Sequence, residues 1–147
     1  MRNAVIGIGN LLRADDGVGI HVVRILQEEM PEIDAIDLST ANIDLLDHIR
    51  SRSRIVIIDA ITTGAEPGAI HRLEPGELVE SDFGQSHGLN LPGILKLGKQ
   101  LYPDEMPGKI VILAVEAQDV ESFGSELTEK VQAAVPKLIK MIKRELE

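Results

Sequence analysis

Two aspartates and one histidine are the residues of this sequence whose types and positions could do chemistry. Asp16 follows a glycine-rich segment, Asp59 follows a long apolar run, and His87 stands beside Gly88 in an irregular stretch. Two carboxylates and an imidazole form an N/O ligand set that suits zinc, nickel, iron or manganese and leaves positions open for water or substrate. The chain has no cysteine, so thiolate ligands and a cysteine nucleophile are excluded.

The elements that must position these residues alternate along the chain. Short apolar runs predict strands over residues 4–8, 33–38, 54–59, 69–73 and 109–115. Apolar residues at steps of three and four predict helices over residues 16–30, 43–49, 91–101 and 127–146. The alternation predicts an α/β fold, a three-layer sandwich in which a mainly parallel twisted sheet of about five strands has helices on both faces. We expect one domain over residues 1–147.

Three aspartates lie at or after the ends of predicted strands. Asp16 follows the first strand, and Asp37 and Asp59 stand where the second and third strands end. Ligand sites in open α/β sheets lie beyond the carboxyl ends of the strands, so these carboxylates are expected to face one rim. A single aspartate in a loop is more often a turn former than a functional group. Asp59 differs, because it ends an apolar strand where its charge would be partly desolvated unless a cation or hydrogen-bond donors meet it.

Two motif matches point to other activities, but the residues around each match do not fit that activity. The Gly7-Ile8-Gly9 segment is typical of dinucleotide-binding proteins, but Leu12 takes the place of the third glycine, and Asp15 and Asp16 would repel a pyrophosphate. Residues 84–88 have the G-x-S-x-G spacing of a serine hydrolase. No buried strand precedes them, and the histidine adjoins the serine instead of following far downstream. The chain also lacks the His-Glu-x-x-His motif of zinc peptidases.

Composition and charge restrict the partners. The 147 residues include 15 Lys and Arg against 24 Asp and Glu, a formal net charge of −9, which disfavours a nucleic-acid partner. No apolar stretch approaches the roughly 18 residues of a membrane span, and the amino-terminal residues do not resemble an export signal. We therefore expect a cytoplasmic protein without a membrane segment. The acidic surface gives no reason to expect obligate assembly, so a monomer is predicted.

Three blocks of the sequence resemble, in order, the family of [NiFe]-hydrogenase maturation endopeptidases. They are residues 7–19 (GIGNLLRADDGVG), residues 57–60 (IIDA) followed by Pro67-Gly68, and residues 86–89 (SHGL). The resemblance extends over nearly the whole chain, and the blocks fall on the predicted strand exits and the loop histidine. The chain is therefore similar to a family whose members act on the large subunit of a hydrogenase.

The resemblance implies an enzyme that removes a carboxyl-terminal extension from the large-subunit precursor after nickel has been inserted. Its metal-binding and catalytic positions match Asp16, Asp59 and His87, and the nickel is supplied by the precursor's own active site. Asp37 matches a further acidic position near the cleft of the family. We assign Asp37 and the following Thr40 to substrate binding. The implied partner is the large-subunit precursor.

Departures from the family pattern leave some points open. Many relatives carry glutamate at the position of Asp16, and Leu38-Ser39 stands where glycines are common, so the identity of the precursor is not predicted. Nickel could polarise the peptide carbonyl or serve only for recognition. If a carboxylate acts as the general base, Asp16 is the first candidate. The alternative function is a non-catalytic, chaperone-like module that binds immature hydrogenase without cutting it.

Overall fold

A computed structural model describes residues 3–39, 42–78 and 91–147. Thr40 and His87 lie outside the described residues. The strands within these ranges are β1 (Ala4–Ile8), β2 (Asp34–Leu38), β3 (Arg54–Ile61), β4 (Ile70–Leu73) and β5 (Lys109–Glu116). The helices are α1 (Val18–Glu29), α2 (Asp44–Ile49), α3 (Leu91–Leu101) and α4 (Glu129–Glu145). No helix of the described ranges is long and apolar enough to cross a membrane.

The strands form one sheet in the order β2-β1-β3-β5-β4. β1 pairs in parallel with β2 and β3, β3 pairs in parallel with β5, and β4 is antiparallel to β5 at the edge. The central strands are buried along most of their length, as expected for parallel strands covered on both faces. The predicted mainly parallel sheet of five strands is confirmed.

Helices cover both faces of the sheet, which gives the three predicted layers. Ile57 belongs to the core under α2 and α3, together with residues of those helices. Ile58, the next residue of β3, belongs to the opposite core, with residues of α1 and α4. This alternation follows from the period of two in a strand. The buried residues of both cores are aliphatic: alanine, valine, leucine and isoleucine.

The strand order places a switch point between β1 and β3. The chain that leaves β1 passes through α1 to β2 on one side, whereas the chain that leaves β3 continues to β4 and β5 on the other side. The connections therefore diverge at the carboxyl ends of β1 and β3, and open α/β sheets bind ligands in the crevice that forms there. Asp16 lies in the segment that leaves β1, and Asp59 lies near the carboxyl end of β3.

Two boundaries next to Asp16 and Asp59 differ from the sequence prediction. The first helix begins at Val18, after a 3-10 turn over Ala14–Gly17, because the backbone N–H groups of Ala14 and Asp15 donate to carbonyls of the distant 119–124 segment. β3 continues to Ile61, so Asp59 lies within the strand and not at its exit. The extension is stabilised by pairing with the last residues of β5.

Candidate functional site

Gly7 in β1 and Gly9 directly after it allow this part of the chain to pack against the start of α1. A Cβ atom at Gly9, which has a φ of 146°, would lie 1.9 Å from the carbonyl oxygen of Asp16. A Cβ atom at Gly7 would lie 2.2 Å from the carbonyl oxygen of Gly19. Side chains at these positions would therefore push the loop away from the helix. The glycine spacing serves this close approach and holds Asp16 over the end of the sheet.

Asp16 is half-buried in the 3-10 turn and has a fixed orientation. Its Oδ2 atom accepts a hydrogen bond of 2.9 Å from the backbone N–H of Asn10. The Asn10 side chain in turn accepts the N–H of Leu12, also at 2.9 Å. The loop after β1 thus wraps around the Asp16 carboxylate and holds it in place.

Asp59 is half-buried on β3, and its charged form is disfavoured. Burial raises the pKa of Asp59 well above its usual value, and the nearby charge of Asp16 raises that pKa further. A hydrogen bond of 2.9 Å from the N–H of Ala60 to Oδ1 acts in the opposite direction but does not cancel the rise. Two neighbouring carboxylates in this setting favour a bound proton or a bound cation. Such perturbed pairs are typical of functional sites.

Asp37 lies at the same end of the sheet but on a different face from Asp59. It is exposed near the end of β2, in one row with Gly7 of β1 and Ile58 of β3. Residues of one row share a face, and Ile58 faces α1 and α4. Asp59, one residue later, faces the side of α2 and α3. The structure thus brings Asp16 and Asp59 together, while the substrate-binding roles of Asp37 and Thr40 stay predictions.

Asp15 is a residue of this site whose role sequence reasoning missed. Its carboxylate is fully buried and accepts four hydrogen bonds, from the N–H groups of Gln118, Asp119 and Thr128 and from the Thr128 hydroxyl. These donors lie 103 to 113 residues away along the chain, so no local signal marks them. Through these hydrogen bonds, Asp15 holds the loop between β5 and α4 against the 3-10 turn that contains Asp16.

Glu116 is a second buried carboxylate that the sequence did not single out. Only 1% of it is exposed at the end of β5, and it accepts hydrogen bonds from the N–H and the hydroxyl of Thr63. His71 Nε2 lies 3.5 Å from its Oε1 atom. Burial acts to raise the pKa of Glu116, but the hydrogen bonds from Thr63 and the nearby His71 ring bring it below the usual value. Glu116 therefore ties the loop after β3 to β5 as an anion.

The described part of the site supplies two candidate metal ligands. No group of three or more histidine, cysteine or acidic side chains that could hold a metal ion occurs within residues 3–39, 42–78 and 91–147. Asp16 and Asp59 offer carboxylate oxygens, which suit a divalent cation and would relieve the repulsion within the pair. A third ligand has to come from another segment or from a substrate, and His87 is the predicted donor.

Fold and site together define an open-sheet α/β protein with an acidic pair at the switch point of a mainly parallel sheet. Comparison with protein families makes the class specific, since the family model for "Hydrogenase maturation protease" matches residues 20–145. This chain belongs to the hydrogenase maturation protease family. The resemblance seen in the sequence blocks is confirmed.

Individual relatives agree with this assignment. The chain is 29% identical over 136 residues to the hydrogenase expression/formation protein HoxM of Cupriavidus necator, covering 88% of this chain and 66% of that protein. It is 27% identical to the [NiFe] hydrogenase maturation protease HybD of Thermococcus kodakarensis, with a TM-score of 0.79 and full coverage of both chains. The hydrogenase maturating endopeptidase HybD of Escherichia coli gives 27% identity and a TM-score of 0.72, over 97% of this chain and 90% of that chain. The chain spans slightly less than two thirds of the length of several curated relatives that it matches.

Proposed function

We propose that this protein is an endopeptidase that removes the carboxyl-terminal extension of a [NiFe]-hydrogenase large-subunit precursor once nickel has been inserted. The observation that carries the proposal is the pairing of Asp16 and Asp59 at the switch point of the sheet, in a chain of the hydrogenase maturation protease family. In this proposal the nickel arrives with the precursor as part of the substrate. Asp16, Asp59 and His87 meet it there.

The acidic pair fits a cationic substrate group. In the free protein the two carboxylates repel each other, and Asp59 is also poorly solvated. A precursor that brings a metal cation relieves both penalties, whereas a precursor without the metal relieves neither. The pair can therefore discriminate between nickel-loaded and nickel-free precursors through differential binding.

The pair also has chemistry to offer at the peptide bond. A metal ion beside a peptide carbonyl can polarise it and lower the pKa of a bound water. Asp16, held by the N–H of Asn10, can orient the substrate or accept a proton from the attacking water. A carboxylate whose pKa is raised, as that of Asp59 is, can hold and return a proton nearer neutral pH than an ordinary aspartate.

Incubation of purified protein with nickel-loaded and nickel-free precursor tests the proposal. Mass spectrometry should show loss of the extension from the loaded form only. Asp59→Asn, Asp16→Asn and His87→Ala should each slow processing by at least about 100-fold. Asp104→Asn is the matched control, because this exposed aspartate lies before β5, at the opposite end of the sheet, and it should process at the wild-type rate.

Three results would count against the proposal. Equal cleavage of both precursor forms would remove the nickel-reading role, and unchanged processing in all three site variants would remove the site assignment. Tight binding of the loaded precursor without any cleavage would favour the chaperone-like alternative. The cytoplasmic location and the monomeric state stay predictions. Light scattering tests the second against the chain mass of 16.0 kDa.

A further inference from the structure

Two large apolar side chains are exposed next to each other on two loops near Asp16. The exposed fraction is 86% for Phe123 and 48% for Leu12. They directly precede Gly124 and Arg13, which form a parallel β-bridge. Gly124 N–H donates to the Leu12 carbonyl at 2.8 Å, and Ala14 N–H donates to the Gly124 carbonyl at 2.9 Å. The two backbones therefore run roughly 5 Å apart at this point, and we call Leu12 and Phe123 together the Leu12–Phe123 patch.

The loop that carries Phe123 is held by hydrogen bonds on both sides of the residue. Asp15 accepts the N–H groups of Gln118, Asp119 and Thr128. Asp119 in turn accepts the N–H groups of residues 121 and 122 through its Oδ1 atom. An aromatic side chain presented on an ordered loop loses little conformational entropy when a partner covers it. Exposed apolar side chains of this kind are typical of interaction sites.

The patch is continuous with the candidate site through one residue, Asn10. The Asn10 side chain accepts the N–H of Leu12, and the Asn10 backbone donates to the carboxylate of Asp16. Leu12 lies four residues before Asp16 in the sequence. A protein segment seated at Asp16 therefore brings the surface around it over the Leu12–Phe123 patch.

The remaining exposed large apolar side chains of the described residues do not share this location. Ile43 lies directly before α2, and Leu101 ends α3. Leu101 lies at the opposite end of the sheet, because α3 runs back from the carboxyl end of the strands towards the start of β5. These positions supply controls for a substitution on the patch.

We propose that the Leu12–Phe123 patch is a docking surface for the folded body of the protein substrate. The proposal rests on the proposed function and names the surface that the precursor contacts outside its cleaved segment. The composition of this surface predicts an apolar area on the precursor with an acidic group near it, because exposed Arg13 directly follows Leu12 and is bridged to Gly124. A second copy of this chain is the less favourable occupant, since its net charge of −9 opposes self-association.

Steady-state kinetics on the nickel-loaded precursor test the docking surface. Phe123→Ala and Leu12→Ser should each raise KM by about tenfold while kcat stays within twofold, because contacts that are equally strong in ground state and transition state change only KM. The matched control Leu101→Ser removes a leucine of similar exposure, 51%, and should leave both constants unchanged. Thermal unfolding of all variants should match that of the wild type, since these side chains are exposed.

The outcomes separate this proposal from the proposed function. Wild-type processing together with unchanged KM in both patch variants would overturn the docking surface and leave the endopeptidase intact. If the wild type does not cleave, the dissociation constant for the loaded precursor replaces KM, and a rise of about tenfold in both patch variants but not in Leu101→Ser still supports docking. Loss of a wild-type dimer in Phe123→Ala, seen by light scattering with precursor affinity unchanged, would overturn the proposal in favour of a second copy.

Discussion

At the scale of single residues, Asp59 is in an environment that disfavours its charged form. Its pKa in the folded protein lies above its usual value because of burial and the charge of Asp16. As the pH rises above about 3.9, the unfolded chain loses this proton first. The folded state retains it, so the free energy of unfolding falls with pH until the folded group also ionises. The acidic pair therefore costs stability near neutral pH.

Replacing Asp59 by asparagine should remove this cost. In metal-free protein, Asp59→Asn is expected to unfold at a higher urea concentration than the wild type at pH 7, and the difference should shrink towards zero near pH 3.5. Urea unfolding followed by circular dichroism across this range measures it. The Asp104→Asn control should show no pH-dependent gain. A destabilised Asp59→Asn at neutral pH would contradict the prediction.

Glu116 should show the opposite pH dependence. The pKa of Glu116 in the folded protein lies below its usual value: burial tends to raise it, but the hydrogen bonds from Thr63 together with the smaller effects of His71 and Gly64 outweigh burial. Its contribution is thus present above about pH 4.3 and is lost as the pH falls through its folded pKa. Glu116→Gln keeps the shape but weakens the two hydrogen bonds.

We expect Glu116→Gln to lower the free energy of unfolding by about 1–2 kcal/mol at pH 7. The loss should narrow as the pH falls below 4, because wild-type Glu116 then becomes neutral as well. Urea titrations at several pH values provide the measurement. The isosteric exchange Glu28→Gln at an exposed position of α1 serves as the control. A deficit that is constant with pH would show that the charge of Glu116 is not responsible.

At the scale of elements, the site depends on the close approach between the loop after β1 and the turn before α1. An alanine at Gly9 would place its Cβ 1.9 Å from the Asp16 carbonyl oxygen. We expect Gly9→Ala to lower the free energy of unfolding by about 2–3 kcal/mol. Processing should fall at least tenfold, because the Asp16 backbone must move.

Gly64→Ala is the control for backbone strain alone. Gly64 also has a positive φ, 90°, but a Cβ atom there would meet nothing within 4 Å. Gly64→Ala should lower the free energy of unfolding by about 1 kcal/mol and leave the processing rate unchanged. Chemical denaturation and precursor processing on the same preparations compare the two variants. Equal processing by Gly9→Ala and the wild type would show that the loop does not position Asp16.

At the scale of the whole molecule, the net charge of −9 produces self-repulsion in the folded state. Sodium chloride screens repulsion between exposed charges beyond about 10 Å at 0.1 M. Raising the salt from about 0.01 M to about 0.5 M should therefore increase Tm by about 2–4 °C. Differential scanning calorimetry measures the shift.

A charge variant tests the origin of the salt effect. Glu28→Lys combined with Asp104→Lys replaces two exposed acids on different elements and makes the net charge less negative. The salt-dependent rise in Tm should become smaller in this variant. A wild-type Tm that falls with salt would show that local ion pairs, such as the pair between Arg52 and Asp34, outweigh the overall repulsion.

The sequence by itself determined most of the fold. Apolar runs and helical periodicity predicted the strands and helices, because the spacing of apolar residues over a few positions shows whether one or both faces of an element are buried. The same local patterns marked Asp16 and Asp59 as candidates. The sequence block that begins with Gly7 and Gly9, at the end of β1 and directly after it, contributed to the family resemblance.

Only the tertiary structure decided how these residues work. Asp15 has partners more than 100 residues away, and Glu116 is bound by Thr63 from a neighbouring strand exit. Strand order and packing decide the desolvation of Asp59 and the face of the sheet on which it lies. Loops from distant parts of the chain place Phe123 beside Leu12. Hydrophobic period is a local property of a sequence, whereas a carboxylate's solvation and its hydrogen-bond donors are set by whatever the fold brings next to it.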